Sequence, residues 1–190
     1  MATPPVFSAG AVLTAAQMNK VGMWLITPSS VTNGTLSGSV VTINSAVTSV
    51  TVNGVFSADF DQYQIVLANT VASAGCNMAI QYGSTTTGYY GSQYYDFYSG
   101  TPTGTNRINN GSYNLVLALG TVADTGMTIT VSNPYAAART IHYGNYFGGG
   151  YSGWTAGQLA NTTSYTGFKF VLDTGANITG GTIKVYGLTK

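Results

Sequence analysis

Charged side chains are scarce in this chain of 190 residues, at 6% of the sequence, whereas an average soluble protein has about 25%. There is no glutamate, and six lysines and arginines against five aspartates leave a formal net charge of +1. So few scattered cations cannot form the phosphate-binding surface of a nucleic-acid-binding protein. A near-neutral surface favours association, so we expect an obligate oligomer or a component of a larger assembly.

Cysteine and histidine occur once each, as Cys76 and His142. Together with the lack of glutamate, this excludes a zinc site and a disulfide within the chain. We interpret Cys76 as a small buried hydrophobic residue. We interpret His142 as a structural strand histidine hydrogen-bonded to a neighbour, because no G-x-S-x-G motif presents a serine nucleophile. Asp59 and Asp61 weakly suggest Ca²⁺, but we favour a loop with Asx turns that leads into Tyr63. We predict no metal and no cofactor.

Long apolar runs and a helix-forming composition are also missing. No run of about 18 apolar residues occurs, so no membrane insertion is expected. The N-terminal MATPPVFSAG lacks a basic region and a continuous apolar stretch, so we do not interpret it as a secretory signal. Disorder is unexpected, since 44% of the residues are hydrophobic and 12% aromatic.

Strand patterns dominate from about residue 38 onward. Nine or ten segments rich in Val, Thr, Ile and Tyr are separated by turn residues, and several of them alternate between apolar and polar residues. The predicted strands are Ser39–Ile43, Ser49–Phe56, Tyr63–Ala68, Cys76–Tyr82, Gln93–Tyr98, Tyr113–Leu119, Met127–Val131, Thr140–Phe147, Gly167–Leu172 and Gly181–Leu188. No helical period lies between them, which excludes parallel βαβ units. The sequence therefore predicts an all-β fold: an antiparallel two-sheet β-sandwich, jelly-roll-like, with a short N-terminal helical or extended arm.

The Ser/Thr/Gly-rich stretch Ser29–Ser39 is the predicted boundary between two parts of the chain. Residues 1–38 are predicted to form an N-terminal attachment arm, and residues 39–190 the β-sandwich domain. Within the arm, a short apolar strand is predicted at Gly22–Ile26.

The arm also carries the clearest helix signal, at residues 14–21. Thr14 is a suitable N-cap, and Gln17 three residues later completes a capping box. Leu13 and Met18 are placed as a hydrophobic staple. A helix of two turns is marginal in isolation, so we expect it to order by packing on a partner or on its own domain.

Two aromatic, glycine-rich segments, 89–98 and 143–154, are the candidate binding elements, and we expect the β domain to display them as loops around 89–98 and 145–154. Tyrosine and tryptophan provide rigid, amphipathic contact area, and rings with nearby Asp, Asn and Gln suit the faces of sugars. Strand packing and a subunit interface are the alternatives. The candidate partner- or glycan-binding residues are Tyr89, Tyr90, Tyr94, Tyr95, Tyr146, Phe147, Tyr151 and Trp154.

A catalytic function has little support in the sequence. Glycoside hydrolysis requires two carboxyl groups, and only Asp59, Asp61 and Asp96 lie near aromatic segments. The run Gly148–Gly150 is followed by neither a lysine nor a helix pattern, so it is not a phosphate-binding loop. We predict that the protein is not an enzyme.

Three segments resemble tailed-bacteriophage structural proteins. FSAGAVLTAAQMN at Phe7–Asn19 resembles the "F-x-A-G-x-x-L-T-A-A-x-M-N" start that precedes a β domain in that group. VFSADFDQYQIV at Val55–Val66 resembles their strand pair "vFs-x-d-y-d-x-Y-r-i-v", with Gln64 where a basic residue is often seen. GGTIKVYGL at Gly180–Leu188 resembles their closing "G-T-i-x-V-Y-G" strand. Together the segments cover about a fifth of the chain.

The resemblance implies a virion component that is assembled in the host cytoplasm and released by lysis. Such proteins are often trimers whose N-terminal arm docks on the particle. We therefore expect a non-enzymatic structural or adhesion protein of the tail-fibre or receptor-binding type, a homotrimer that contacts other virion proteins and a host-surface glycan. The expected apolar anchors of the arm are Phe7, Leu13, Met18 and Trp24.

Other functions remain open at this point. A capsid decoration (cement) or head-fibre protein has the same neutral β-rich composition, and its aromatic residues would then form subunit interfaces. A free-standing carbohydrate-binding module and a polysaccharide depolymerase are the remaining alternatives.

Overall fold

The computed structural model describes residues 22–100, 103–122 and 124–188. Every regular element within these ranges is a β-strand, and no helix of membrane-spanning length and hydrophobicity occurs there. The predicted arm helix lies outside the described residues, as do three of the four arm anchors, Phe7, Leu13 and Met18.

Fifteen strands follow one another within the described ranges. The strands are β1 Met23–Ile26, β2 Ser30–Thr32, β3 Thr35–Ser37, β4 Val40–Ile43, β5 Ser49–Asn53, β6 Gln62–Ala72, β7 Cys76–Tyr82, β8 Tyr89–Phe97, β9 Gly104–Gly111, β10 Asn114–Leu119, β11 Thr125–Ser132, β12 Thr140–Gly148, β13 Tyr151–Leu159, β14 Phe168–Leu172 and β15 Ile178–Leu188.

These strands form two antiparallel sheets, which confirms the predicted all-β sandwich. The large sheet has ten strands in the order β3-β4-β15-β6-β11-β12-β13-β8-β9, and β1 also pairs with β15. The small sheet has five strands in the order β10-β7-β14-β5-β2. Strand β10 of the small sheet lies against β8, β12 and β13 of the large one.

The core lies between the two sheets because side chains alternate across each strand. In β6, Tyr63, Ile65 and Leu67 are buried while the residues between them are more exposed. The small sheet contributes the rings of Phe168 and Phe170, which meet edge to face at 5.1 Å. Burial of this apolar surface is the main favourable contribution to the fold.

The described part of the arm is integrated into the sheets. Strand β1, predicted as a short strand from its sequence, pairs with the last strand: Met23 lies opposite Leu188 and Trp24 opposite Gly187. Strand β2 joins the small sheet beside β5, and β3 pairs with β4. The predicted boundary after residue 38 thus falls inside a strand pair of the large sheet.

Strands β9 and β13 were missing from the sequence prediction. The inward positions of β13 alternate between large and small residues, with Gly153 and Gly157 among them, so no apolar period is visible. In β9 only Ile108 is a large apolar residue. Both strands form because their neighbours provide hydrogen-bonding edges, and this information is not local to either segment.

A group of polar side chains links the two sheets near β10. The Thr155 hydroxyl of β13 donates a hydrogen bond to the Leu115 carbonyl of β10 at 2.7 Å. The Asn114 amide of β10 donates to the Gln158 carbonyl of β13 at 3.2 Å. These bonds hold β10 against β13. They determine which face of the large sheet is covered by the small sheet.

Candidate functional site

The two aromatic segments are strands, and they lie side by side. Strand β13 pairs with β12 on one edge and with β8 on the other. In this register Trp154 lies between Asn145 of β12 and Tyr94 of β8. The sequence interpretation treated parts of these segments as displayed loops. The structure corrects this, because only a tight turn separates β12 from β13.

That turn consists of Gly149 and Gly150, with φ angles of 59° and 84°. Gly148 and Tyr151 pair on either side of it. Two consecutive residues with positive φ are what a two-residue type I′ hairpin requires, and glycine adopts this conformation without strain. The glycine run that lacked a phosphate-loop context therefore has a structural role.

Strand alternation places half of the eight candidate residues on the uncovered face of the large sheet. We call this surface the outer aromatic face, and it also includes two residues that the sequence interpretation missed, Ile141 and Tyr143. All of them are at least partly solvent-accessible, and Tyr143, Phe147 and Trp154 are about half exposed, at 53%, 47% and 47%. The members of the face are Tyr90, Tyr94, Ile141, Tyr143, Phe147 and Trp154.

Tyr94 and Trp154 form the centre of the outer aromatic face. Their rings are stacked with centroids 6.2 Å apart and an angle of 18° between the planes, and we call this pair of nearly parallel rings the Tyr94–Trp154 platform. Polar residues surround it in the register: Asn145 beside Trp154, and Thr105 beside Tyr94. A flat ring pair bordered by amide and hydroxyl groups can stack on an apolar ligand face and hydrogen-bond at its rim.

The other four candidates, Tyr89, Tyr95, Tyr146 and Tyr151, point towards the small sheet. Tyr89 is fully buried, and its hydroxyl accepts a hydrogen bond from the Tyr82 amide at 2.7 Å. Burial raises the pKa of Tyr89 well above its ordinary value. Tyr95 and Tyr151 are half-buried and meet edge to face at 5.7 Å. The structure therefore does not unite the eight residues in one site.

Tyr146 shows why this part of the sheet is rich in glycine. It lies opposite Gly153, and a side chain at Gly153 would collide with the Tyr146 ring and with the Tyr94 carbonyl. The Tyr146 hydroxyl donates to that carbonyl at 3.1 Å. The missing side chain at Gly153 leaves room for a large ring on the inner face, where Tyr146 is 5% exposed.

His142 and Cys76 have structural environments. His142 is completely buried on β12, and burial lowers its pKa to about 4. Among the described residues neither ring nitrogen has a hydrogen-bond partner. The prediction that His142 is hydrogen-bonded to a neighbour is therefore wrong. Cys76 is half-buried against the core, and burial followed by the nearby Asp173 charge raises its pKa to about 11.

The Asp59 region is a turn. The Ser57 hydroxyl donates to the Asp59 carboxylate at 3.1 Å, and the Tyr63 hydroxyl donates to the Ser57 carbonyl at 2.9 Å. Within the described ranges no group of three or more His, Cys, Asp or Glu residues is placed to hold a metal ion. The loop interpretation accounts for these contacts.

No protein-family model matches the chain, and no curated protein matches it.

Proposed function

We propose that this chain is a non-enzymatic structural and adhesion component of a tailed-phage particle, of the tail-fibre or receptor-binding type. In this proposal the outer aromatic face binds a host-surface glycan. The phage assignment is supported by the three sequence segments that resemble phage structural proteins. The observation that carries the binding role is the stacked Tyr94–Trp154 platform on the uncovered face of the large sheet.

The charge distribution supports a neutral ligand for this face. Its six members carry no charge, and the nearest ionic side chains in the register are Asp96 and Arg107, one of each sign. An anionic polymer requires clustered cations, which this surface lacks. An uncharged glycan meets the rings through its C–H faces and the bordering polar groups through its hydroxyls.

A glycan array probed with purified full-length protein tests this role. Trp154→Ala is expected to weaken the strongest signals by about 1–3 kcal/mol, the cost of truncating an aromatic anchor. Tyr186→Ala is the matched control, because Tyr186 also lies on the outer side of the large sheet but on β15, three strands from β12. Equal binding by wild-type protein and Trp154→Ala would contradict the proposed role of the face.

A capsid decoration or head-fibre protein is the second candidate, and the apolar half of the face favours it. Ile141, Tyr143 and Phe147 are exposed on the outward side of β12, where Asn145 is the one polar residue between them. Such exposed apolar groups are characteristic of protein–protein interfaces. In that function Tyr143→Ser and Phe147→Ser would convert an oligomer to monomers in sedimentation velocity, whereas a glycan-binding face would leave the oligomeric state unchanged.

Immunogold electron microscopy of phage particles with an antibody to this chain distinguishes the two locations. Label at the tail supports the receptor-binding function. Label over the head supports the capsid decoration or head-fibre function. In that case the outer aromatic face would be a subunit interface. Absence of label from intact, permeabilised and disassembled particles would contradict both.

The attachment function of the arm requires a truncation that spares the sandwich. Deleting residues 1–21 leaves every described strand intact, and we expect a folded protein that fails to join the particle. Deleting residues 1–28 also removes β1 and its pairing with β15, so that protein is expected to be less stable. Normal incorporation after deletion of 1–21 would contradict the arm assignment.

A further inference from the structure

A cleft of about 310 Å³ opens between the two sheets, on the opposite side of the large sheet from the outer aromatic face. The large sheet contributes Tyr95, Asn106 and Tyr151, all on its inner side. The small sheet contributes the start of β7, the end of β10 and the turn after β14. This volume is near the lower end of the range for ligand pockets, about 300–1,000 Å³, so it suits one small ligand.

Aromatic rings form one wall of the cleft. Tyr95 meets Tyr151 edge to face at 5.7 Å, and Tyr151 packs against Phe97 at 4.9 Å. These contacts hold the Tyr95 and Tyr151 rings in place before any ligand arrives. Preorganised rings lose little conformational entropy on binding.

Polar groups from the small sheet form the facing wall. The Asp173 carboxylate accepts hydrogen bonds from the Asn77 backbone amide and from its side-chain amide, both at 2.8 Å. The Asp173 amide donates in return to the Asn77 carbonyl at 3.0 Å. A carboxylate has about four acceptor sites, so Asp173 is fixed in position and retains the capacity to accept from a ligand hydroxyl.

We infer that this cleft binds one neutral, hydroxyl-rich ring, namely a single monosaccharide unit, between the Tyr95 and Tyr151 rings and the Asp173–Asn77 pair. The rings face the C–H groups of the sugar, and the carboxylate and amides of Asp173, Asn77 and Asn106 bind its hydroxyls. The site is separate from the outer aromatic face and does not depend on the proposed function.

The composition of the lining favours a neutral sugar over other small ligands. Among the lining residues that the structure describes, Asp173 is the one acidic side chain and none is cationic, so anions are repelled. Cys76, also in the lining, is a neutral thiol at physiological pH because its pKa is raised to about 11. A single carboxylate supports binding rather than hydrolysis, which uses two.

Saturation-transfer NMR with methyl glycosides of glucose, galactose, mannose, N-acetylglucosamine and rhamnose tests the cleft in the full-length protein. Gly75 borders the cleft, and a Cβ added there would meet no atom within 4 Å. Gly75→Tyr is therefore expected to fold and to obstruct the cleft, weakening binding of the preferred glycoside at least about tenfold. Asp173→Asn keeps the side-chain size and is expected to weaken binding of the preferred glycoside several-fold.

Gly175→Tyr is the matched control, because Gly175 is equally exposed and unobstructed but does not line the cleft. It should bind the glycoside as the wild type does, and so should Trp154→Ala. Absence of binding by the wild type to every glycoside, or equal binding by Gly75→Tyr, would overturn the proposal. Binding of tetramethylammonium in the absence of binding by any glycoside would also overturn the proposal and would indicate a cation site. Loss in Trp154→Ala alone would assign the binding to the outer aromatic face.

Discussion

Tyr89 and Tyr90 are consecutive in the chain, and they have opposite environments. The first is fully buried against the small sheet, whereas the second is 36% exposed on the outer aromatic face. The same division separates Tyr95 from Tyr94. The inner residues make ring contacts across the core side of the sheet, and Tyr89 also accepts a hydrogen bond from the Tyr82 amide. The outer residues point away from the small sheet.

This comparison shows that aromatic content alone does not identify a binding surface. The inner rings stabilise the sandwich, and truncating them reduces the free energy of unfolding. The outer rings add little to that free energy, so their presence at solvent-exposed positions is better explained by a ligand or a partner. Substitutions made separately on the inner and outer faces of the large sheet therefore test whether the outer aromatic face has a binding role.

The largest contrast is expected between Tyr89→Ala and Tyr90→Ala. Tyr89 stacks on Tyr82 with centroids 6.4 Å apart, and its removal leaves a cavity that should cost about 3–5 kcal/mol of unfolding free energy. Tyr90→Ala should change that free energy by less than about 0.5 kcal/mol. Urea denaturation of both variants measures the difference. Similar losses of unfolding free energy in the two variants would show that both faces of the large sheet are covered in solution.

Burial of His142 on the inner face is expected to make the free energy of unfolding depend on pH. The pKa of His142 is about 4 in the folded protein and about 6.5 when unfolded, so below pH 6.5 the unfolded chain binds a proton that the folded one does not. The unfolding free energy should fall by about 3 kcal/mol as the pH decreases from 6.5 to 4. Denaturation at pH 4.5 and 7 measures this loss.

His142→Met is the control for that titration, since it removes the imidazole and keeps an apolar side chain of similar length. Its unfolding free energy should be nearly constant between pH 4.5 and 7. An unchanged pH dependence in this variant would assign the effect to another group.

A smaller stability contrast is expected between Tyr95→Ala and Tyr94→Ala. Tyr95 is half-buried against Tyr151, so its loss should cost about 2 kcal/mol, within the usual range for a packed residue. Tyr94→Ala should cost no more than about 1 kcal/mol, the contribution of its cross-strand contact with Trp154. Thermal denaturation followed by circular dichroism compares them, and a larger effect at Tyr94 would reverse the assignment of faces.

The smallest expected effect is the coupling between Tyr94 and Trp154. A cross-strand aromatic pair contributes about 0.2–1 kcal/mol, and a double-mutant cycle with Tyr94→Ala and Trp154→Ala isolates this term. Additive effects would show that the rings stack too weakly to form a platform.

Much of the fold could be predicted from local patterns. The alternation in β7 and β11 identified those strands, and β7 was predicted with the bounds that it has, Cys76–Tyr82. Strand β13 could not be predicted in this way, because Gly153 and Gly157 occupy inward positions that an isolated strand fills with apolar residues. Tertiary contacts explain these two glycines, because the Tyr146 ring lies over Gly153 and the Asn114 amide lies close to Gly157.

The candidate site was predicted in part. Sequence reasoning selected Tyr90, Tyr94, Phe147 and Trp154, but it grouped them with four residues of the inner face. It did not name Tyr143, although the candidate segment begins at that residue, and the register of β12 places Tyr143 on the outer face. The cleft residues Asn77 and Asp173 are 96 positions apart, and no local pattern associates them.

The sequence by itself determined that consecutive aromatic residues would lie on opposite faces, because the side-chain period of a strand is two. It also determined a neutral, strand-rich surface through its lack of charge and of helix-forming residues. The tertiary structure alone decided which face is covered, because that depends on β10 packing against β8, β12 and β13. It alone placed Trp154 beside Tyr94, since pairing of β13 with β8 is a long-range contact that burial of the whole sheet stabilises.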